Sequence, residues 1–414
     1  IQALAKRHSA DAAAKRETLD KAYADAMRDV ARQFPSDAEA QTFFADAMMN
    51  LRPWNLWTPD GKPQPGTEEL VQTLERVLAA NPNHPGALHL YIHAVEAGPD
   101  PRRAEAAADR LLPAMPGAGH MVHMPSHIYW RIGRYADAVT VNAAAVEADR
   151  KYFKTSTPSP IYRGLYHPHN IDFIWQSASM EGRSADTFRA AGEFAASGSP
   201  AMIKEMPDME TAPVAPVVAL VRFGRWDQVL RQPPPPPDWL YTRGVWHYAR
   251  GVAFNAQGQA AEARDELTQL EQLLQSVPDT RTIAFFFRAK SMLQLAANVL
   301  AGEIAAKSGD MASAERLLRA AVAEQDTHWF TEPPPWYFPV RQALGAVLLQ
   351  AGRASDAEQV YREDLKRNPG NGWSLFGLTQ SLEKQGKTAE AAQTGEQFRK
   401  AWARADVTLS ASRF

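Results

Sequence analysis

At 414 residues and a net charge of −2, the chain can bury a large core, and its basic and acidic residues are interspersed. That balance excludes the basic stripe of a nucleic-acid binder, and no apolar run approaches the roughly 18 residues of a membrane span. The absence of cysteine excludes disulfides, thiolate catalysis and cysteine-ligated zinc, while leaving the redox compartment open.

In chain order, residues 1–35 read as an N-terminal helical segment. Ile1 in place of an initiating Met suggests that more sequence originally preceded it. Residues 36–414 read as an array of helical hairpins. Gly-Arg-Tyr-Ala-Asp-Ala at 133–138 returns as Gly-Arg-Ala-Ser-Asp-Ala at 352–357 and Gly-Lys-Thr-Ala-Glu-Ala at 386–391, with looser copies from Gly182, Gly224, Gly258 and Gly309. Successive intervals are 49, 42, 34, 51, 43 and 34 residues, a basic 34-residue period carrying insertions. Each glycine suits the tight turn closing the first helix of a pair, where a left-handed backbone is needed. Apolar spacing is helical nearly throughout, and alternation of period two is absent. The prediction is an all-α fold, an α-solenoid of stacked helix-turn-helix repeats with several long inserted loops. Histidine-rich repeats lie at about 82–182 and regular repeats at about 336–403.

Insertions fall at about 51–66, 151–168, 195–212 and 326–339, and three of the four are rich in aromatics. Long loops in helical arrays are more often functional than decorative. The five prolines at 233–237 read instead as a stiff connector.

These repeats resemble the tetratricopeptide family. More narrowly, Pro85-Gly-Ala-Leu-His-Leu-Tyr-Ile-His93 followed by His123-Met-Pro-Ser-His-Ile-Tyr129 is similar to a block in a widespread bacterial group of such proteins. So is Glu332-Pro-Pro-Pro-Trp-Tyr-Phe-Pro-Val-Arg341 leading into Asn371-Gly-Trp-Ser-Leu-Phe-Gly377. The resemblance runs through most of residues 36–414. It implies an exported protein, periplasmic or extracellular, because members often begin with an export signal. It implies no particular activity, since the group's functions are mostly unassigned.

Eight of the eleven histidines fall between residues 84 and 169. His89 and His93 are four apart, and His120, His123 and His127 are spaced three and four, so each set lines one helical face. A shift of 34 residues carries His89 onto His123 and His93 onto His127. Equivalent positions on neighbouring hairpins lie side by side, near enough to share an ion. The glycine markers favour a shift of 35 (Gly98 to Gly133), which would slip this register by one. A further interval of 49 brings His169 opposite His120 and Asp172 opposite His123, and Glu96, which follows His93 by three, is a further candidate on that stripe. At the Asp172 position the similar proteins tend to carry histidine. The candidate ligands are therefore His89, His93, His120, His123, His127, His169 and Asp172.

A nitrogen-rich site with at most one carboxylate suits zinc, copper, iron or nickel. The His, Met, Tyr and Trp company favours copper over zinc or iron. Trp54, Trp57, Tyr129, Trp336, Tyr337 and Arg341 are candidates for a ligand pocket, with Arg341 able to grip a carboxylate two-pronged or to form a salt bridge between repeats. The leading expectation is a solenoid whose concave face carries a transition-metal site. It would bind, and in a metal-dependent oxidoreductase-like version transform, a small molecule or peptide. The alternative is a non-catalytic scaffold for a protein or peptide partner, its histidines serving structure or, as with His84 and His120, capping helices.

Overall fold

Helical hairpins dominate the computed structural model, which describes residues 1–328 and 331–414. The fold is almost entirely helical and built of stacked helix-turn-helix units, an α-solenoid as its periodicity predicts. Trp329 and Phe330, part of the 326–339 insertion, lie outside the described residues. The chain divides into two compact units, Ile1–Ile132 with Thr140–Pro158, and Gly133–Val139 with Ser159–Phe414. Among the described residues no helix is long and apolar enough to cross a membrane.

In the second unit six hairpins follow one another: His167–Met180 with Ser184–Ser197, Thr211–Arg222 with Trp226–Leu230, Leu240–Ala256 with Ala260–Ser276, Ala289–Lys307 with Met311–Thr327, Val340–Gln350 with Ala354–Arg367, and Gly372–Lys384 with Thr388–Ala401. Every turn is made the same way. Gly182, Gly224, Gly258, Gly309, Gly352 and Gly386 all have positive φ, between 64° and 87°. At each, the residue after the glycine donates its amide to a carbonyl five positions back. Arg183 reaches Ala178 at 3.1 Å, Arg225 Leu220 at 2.9 Å and Lys387 Leu382 at 3.0 Å. These bonds satisfy carbonyls orphaned at a helix end, and only glycine adopts the required backbone without strain.

The first hairpin of this unit touches the last. Trp373 donates its indole N–H to the Ser179 carbonyl at 2.8 Å, and the Asp406 carboxylate accepts the amides of Ser184 and Ala185 at 2.7 and 2.9 Å. A carboxylate at a helix N-terminus satisfies free donors and complements the helix dipole. Around Trp373 gather Phe223 and Leu409, with Phe188, Phe398, Trp402 and Phe414 against them.

The insertions are shorter in irregular chain than the repeat arithmetic suggests. Residues 151–168 continue a helix to Thr155 and then form a π-turn over Tyr162–Tyr166, while 195–212 hold short helices at Pro200–Glu205 and Pro207–Glu210. Among the described residues one two-stranded sheet interrupts the helices. Thr282–Ile283 pairs antiparallel with Phe287–Arg288, a hairpin too short to show a period.

The first unit stacks the helices Arg16–Gln33, Ala38–Met49, Thr67–Ala80, Pro85–Val95, Glu105–Leu111, Gly119–His123 and Pro125–Ile132. His84 caps the Pro85–Val95 helix, its Nδ1 accepting the Ala87 amide at 3.1 Å. Pro125 has no N–H to donate, so the hydrogen-bond ladder skips a rung between Gly119–His123 and Pro125–Ile132 while Met124 keeps a right-handed helical backbone.

Candidate metal centre

Five imidazoles converge within the first unit. His89 and His93 stand one turn apart on the Pro85–Val95 helix with ring centroids 5.0 Å apart. His120 and His123 come from Gly119–His123, and His127 from the Pro125–Ile132 helix. His93 meets His127 edge-on at 5.2 Å, as the 34-residue shift predicts. His89 meets His120, Nε2 to Nε2 at 3.1 Å, three residues earlier than that shift would put its partner. His89, His93 and His120 each place one ring nitrogen within 4.8 Å of the others. Those three rings are half-buried, whereas His123 and His127 are sealed at 0% and 2% exposure.

The outer nitrogens fix the inner ones. His93 Nδ1 lies 2.8 Å from Glu96 Oε1, and His127 Nδ1 lies 2.5 Å from Glu96 Oε2. His123 Nδ1 lies 2.6 Å from Asn142 Oδ1. Carboxylate and amide oxygens accept, so these three Nδ1 atoms carry the protons. Their Nε2 atoms then hold lone pairs. His123 Nε2 and His127 Nε2 face each other at 2.7 Å. Two lone pairs that close repel unless a cation sits between or beside them. This is how carboxylates and carbonyls commonly orient metal-binding histidines.

Electrostatics agree. Burial, reinforced by the neighbouring imidazoles, pushes His89 down to about 3 and His120 down to about 2. Burial also lowers His127 against the opposing pull of Glu96. Neutral imidazole is the form that ligates metal. Burial alone would raise Glu96, but His127 and His93 outweigh it and hold the carboxyl below its usual range. Arg131 reaches the Glu96 carbonyl and, at 3.4 Å, that of Gly98, pinning the chain just beyond the Pro85–Val95 helix. The first unit thus contains a buried histidine–carboxylate cluster able to coordinate a metal ion.

The remaining predicted residues are placed as follows. His169 and Asp172 sit on the His167–Met180 helix of the second unit. His169 lies edge-on to Phe173 at 5.2 Å. Asp172 Oδ1 accepts from Trp175 Nε1 at 2.6 Å and Gln176 Nε2 at 3.0 Å, and burial raises its carboxyl to about 6. Trp54 is exposed with a positive φ of 57°. Trp57 donates its indole N–H to the Ala94 carbonyl at 2.7 Å, at the end of the helix bearing His93. Tyr129 is buried and donates to Asp109 at 2.6 Å. Trp336 and Tyr337 are buried together in the second unit, the Tyr337 hydroxyl 2.8 Å from that of Tyr241. Arg341 spends its fork on Asp326, at 2.8 and 2.6 Å, the salt-bridge option for that residue. Glu96 was visible in the sequence as a neighbour of the stripe, but as a ligand rather than an orienting group. Asn142 comes from the Tyr135–Thr155 helix, which pairs with Pro125–Ile132 in the same hairpin, and carried no signal of its own.

The fold and cluster together define an α-solenoid with a metal-competent imidazole centre. No protein-family profile and no curated protein match the chain. Among solved structures, human IFIT1 in a dimer with m7Gppp-AAAA aligns over 92% of this chain and 78% of its own at 10% identity, TM-score 0.35. Naa15/Naa10 bound to HypK-THB aligns over 92% of this chain and 61% of its own at 12% identity, TM-score 0.34. Superpositions this loose carry no argument, and the fold class rests on the helices themselves.

Proposed function

We propose that the protein binds a transition-metal ion at this cluster, with the Nε2 atoms of His93, His123 and His127 as the oriented donors and His89 and His120 completing the outer part of the same centre. The observation that carries this reading is the tautomer arrangement. Glu96 and Asn142 accept the Nδ1 protons of His93, His127 and His123, which places the lone pair of each ring on Nε2. The half-buried outer trio gives an ion a path in, and the sealed inner pair removes water from the far side.

Copper is the preferred occupant. Affinity at nitrogen sites rises along the first-row divalent metals to copper and falls again at zinc. Such a centre supplies electron transfer or activates a small molecule held against the outer trio. That use is consistent with the exposure of His89, His93 and His120.

Untagged protein, expressed with copper and zinc both present, is expected to retain near-stoichiometric metal on elemental analysis. His93→Ala and His127→Ala each should lose most of it while keeping their helical circular dichroism. A proton shared between His123 and His127 is the competing occupant. It predicts substoichiometric metal, equal in wild type and both variants, and that result would reject the proposal.

A further inference from the structure

Arg341 spends its fork on Asp326, whereas among the described residues the buried Arg222 leaves its own uncommitted. The latter ends the Thr211–Arg222 helix, 5% exposed, after the apolar run Val217-Val-Ala-Leu-Val221. One face of its guanidinium stacks on Trp373, Cζ to ring centroid 3.8 Å, and Phe338 lies at 5.1 Å. Its Nη1 donates to Gln342 Oε1 at 2.6 Å. Among the described residues, Nε and Nη2 have no hydrogen-bond partner.

Those two atoms are not scattered vacancies. Nε–H and Nη2–H lie along one side of the planar guanidinium and point the same way, the fork that a carboxylate takes with both oxygens. A buried donor pair without acceptors is costly, and more so on a charged group. Burial pulls the Arg222 pKa down to about 9, against the pull of Asp364, so the group remains a cation at neutral pH. Asp364 stands two amides away. Gln342 Nε2 donates to Asn371 Oδ1 at 3.0 Å, and Asn371 Nδ2 donates to Asp364 at 3.1 Å. That relay engages Nη1 and leaves the other edge open.

Beside this arginine is a cavity of about 60 Å³, walled by Tyr248, Trp336, Phe338 and Gln342. It is several times the room one water molecule needs. The other charges on its wall, Glu303 and Arg413, pair at 2.9 Å and cancel. The half-buried Trp226, Pro339 and Phe414 also line it, so the cavity reaches toward solvent. An aromatic-walled pocket with one uncommitted cationic fork matches a ligand with one anionic end and a short apolar body.

We infer that this cavity is a binding site for a small organic carboxylate, held two-pronged by the Nε–Nη2 edge of Arg222 with its apolar part against Tyr248, Trp336 and Phe338. The site belongs entirely to the second unit and does not depend on the metal reading.

Sodium propionate and its neutral isostere propionamide, titrated calorimetrically into the whole chain at constant ionic strength, test it. Saturable binding of one propionate, with none of propionamide, is expected. Arg222→Lys keeps the charge but loses the fork, and should weaken propionate at least tenfold. Arg222→Met should abolish binding. Absence of saturable propionate binding to the wild type overturns the inference. So does equal binding of propionamide, or unchanged affinity in a folded Arg222→Lys. The two wild-type titrations decide the matter even if neither variant folds.

Discussion

Glu96 carries more of the imidazole cluster than any one histidine does. Its two oxygens hold the Nδ1 protons of His93 and His127, on different helices, and thereby aim two Nε2 lone pairs at once. Gln at this position is nearly isosteric but has one acceptor oxygen and one NH2 group, so only one of the two rings keeps its partner. Glu96→Gln is expected to weaken metal affinity by roughly 10- to 100-fold, the usual cost of losing an orienting partner, with helix content unchanged. Competition against a metal-sensitive chelating dye measures this. Wild-type affinity in the variant would show that the carboxylate merely fills space. The same logic explains why the arginines sorted as they did. Both Arg341 and Arg222 are buried, but only the first has a carboxylate in direct reach, Asp326, and nothing local in the sequence marks that difference.

At the scale of the element, the hairpin turns separate backbone strain from steric exclusion. Gly258 has φ of +81° and open space where a Cβ would go, whereas Gly133 has φ of +84° and a Cβ there would sit 2.3 Å from the Pro369 carbonyl oxygen. Gly258→Ala should therefore cost only the left-handed penalty, about 1–2 kcal/mol. Gly133→Val adds a β-branched side chain and a backbone clash, and should be far worse, up to failure to fold. Urea denaturation of the two variants side by side checks the order, and equal losses would refute the distinction. The turns were legible because they are local. The seven glycines from Gly133 to Gly386 named from the repeat have positive φ, and the helix pairs follow from them, whereas the marker Gly98 does not. The histidine pairing was only half legible for the opposite reason. His93 and His127 meet as the repeat predicts, but His89 meets His120 rather than His123. A period read along the chain says which positions are equivalent in an array, not which of several histidines on one stripe comes nearest to its neighbour.

At the scale of the whole molecule, the imidazole cluster and the cavity beside Arg222 lie in different compact units. The second unit also ties its first hairpin to its last through Trp373, Trp402 and Asp406. Sequence periodicity finds neighbours in an array but gives no hint that ends 222 residues apart, Ser184 and Asp406, share hydrogen bonds. Ligand binding stabilises only what unfolds together with the site. A metal held by His89, His93, His120, His123 and His127 joins helices of the first unit, so amide exchange should slow there. At a free metal concentration about 100 times Kd the gain is about 2.7 kcal/mol, or roughly 100-fold slower exchange for amides that open with the site. Protection is expected in Pro85–Val95, Gly119–His123, Pro125–Ile132 and the residues around Asn142. Peptides from the hairpins between Leu240 and Lys384 should exchange at the metal-free rate. Hydrogen exchange read by mass spectrometry, with and without copper, resolves these segments. Uniform slowing along the chain, or none in the histidine-bearing helices, would mean that copper binds elsewhere and that the imidazole cluster is structural.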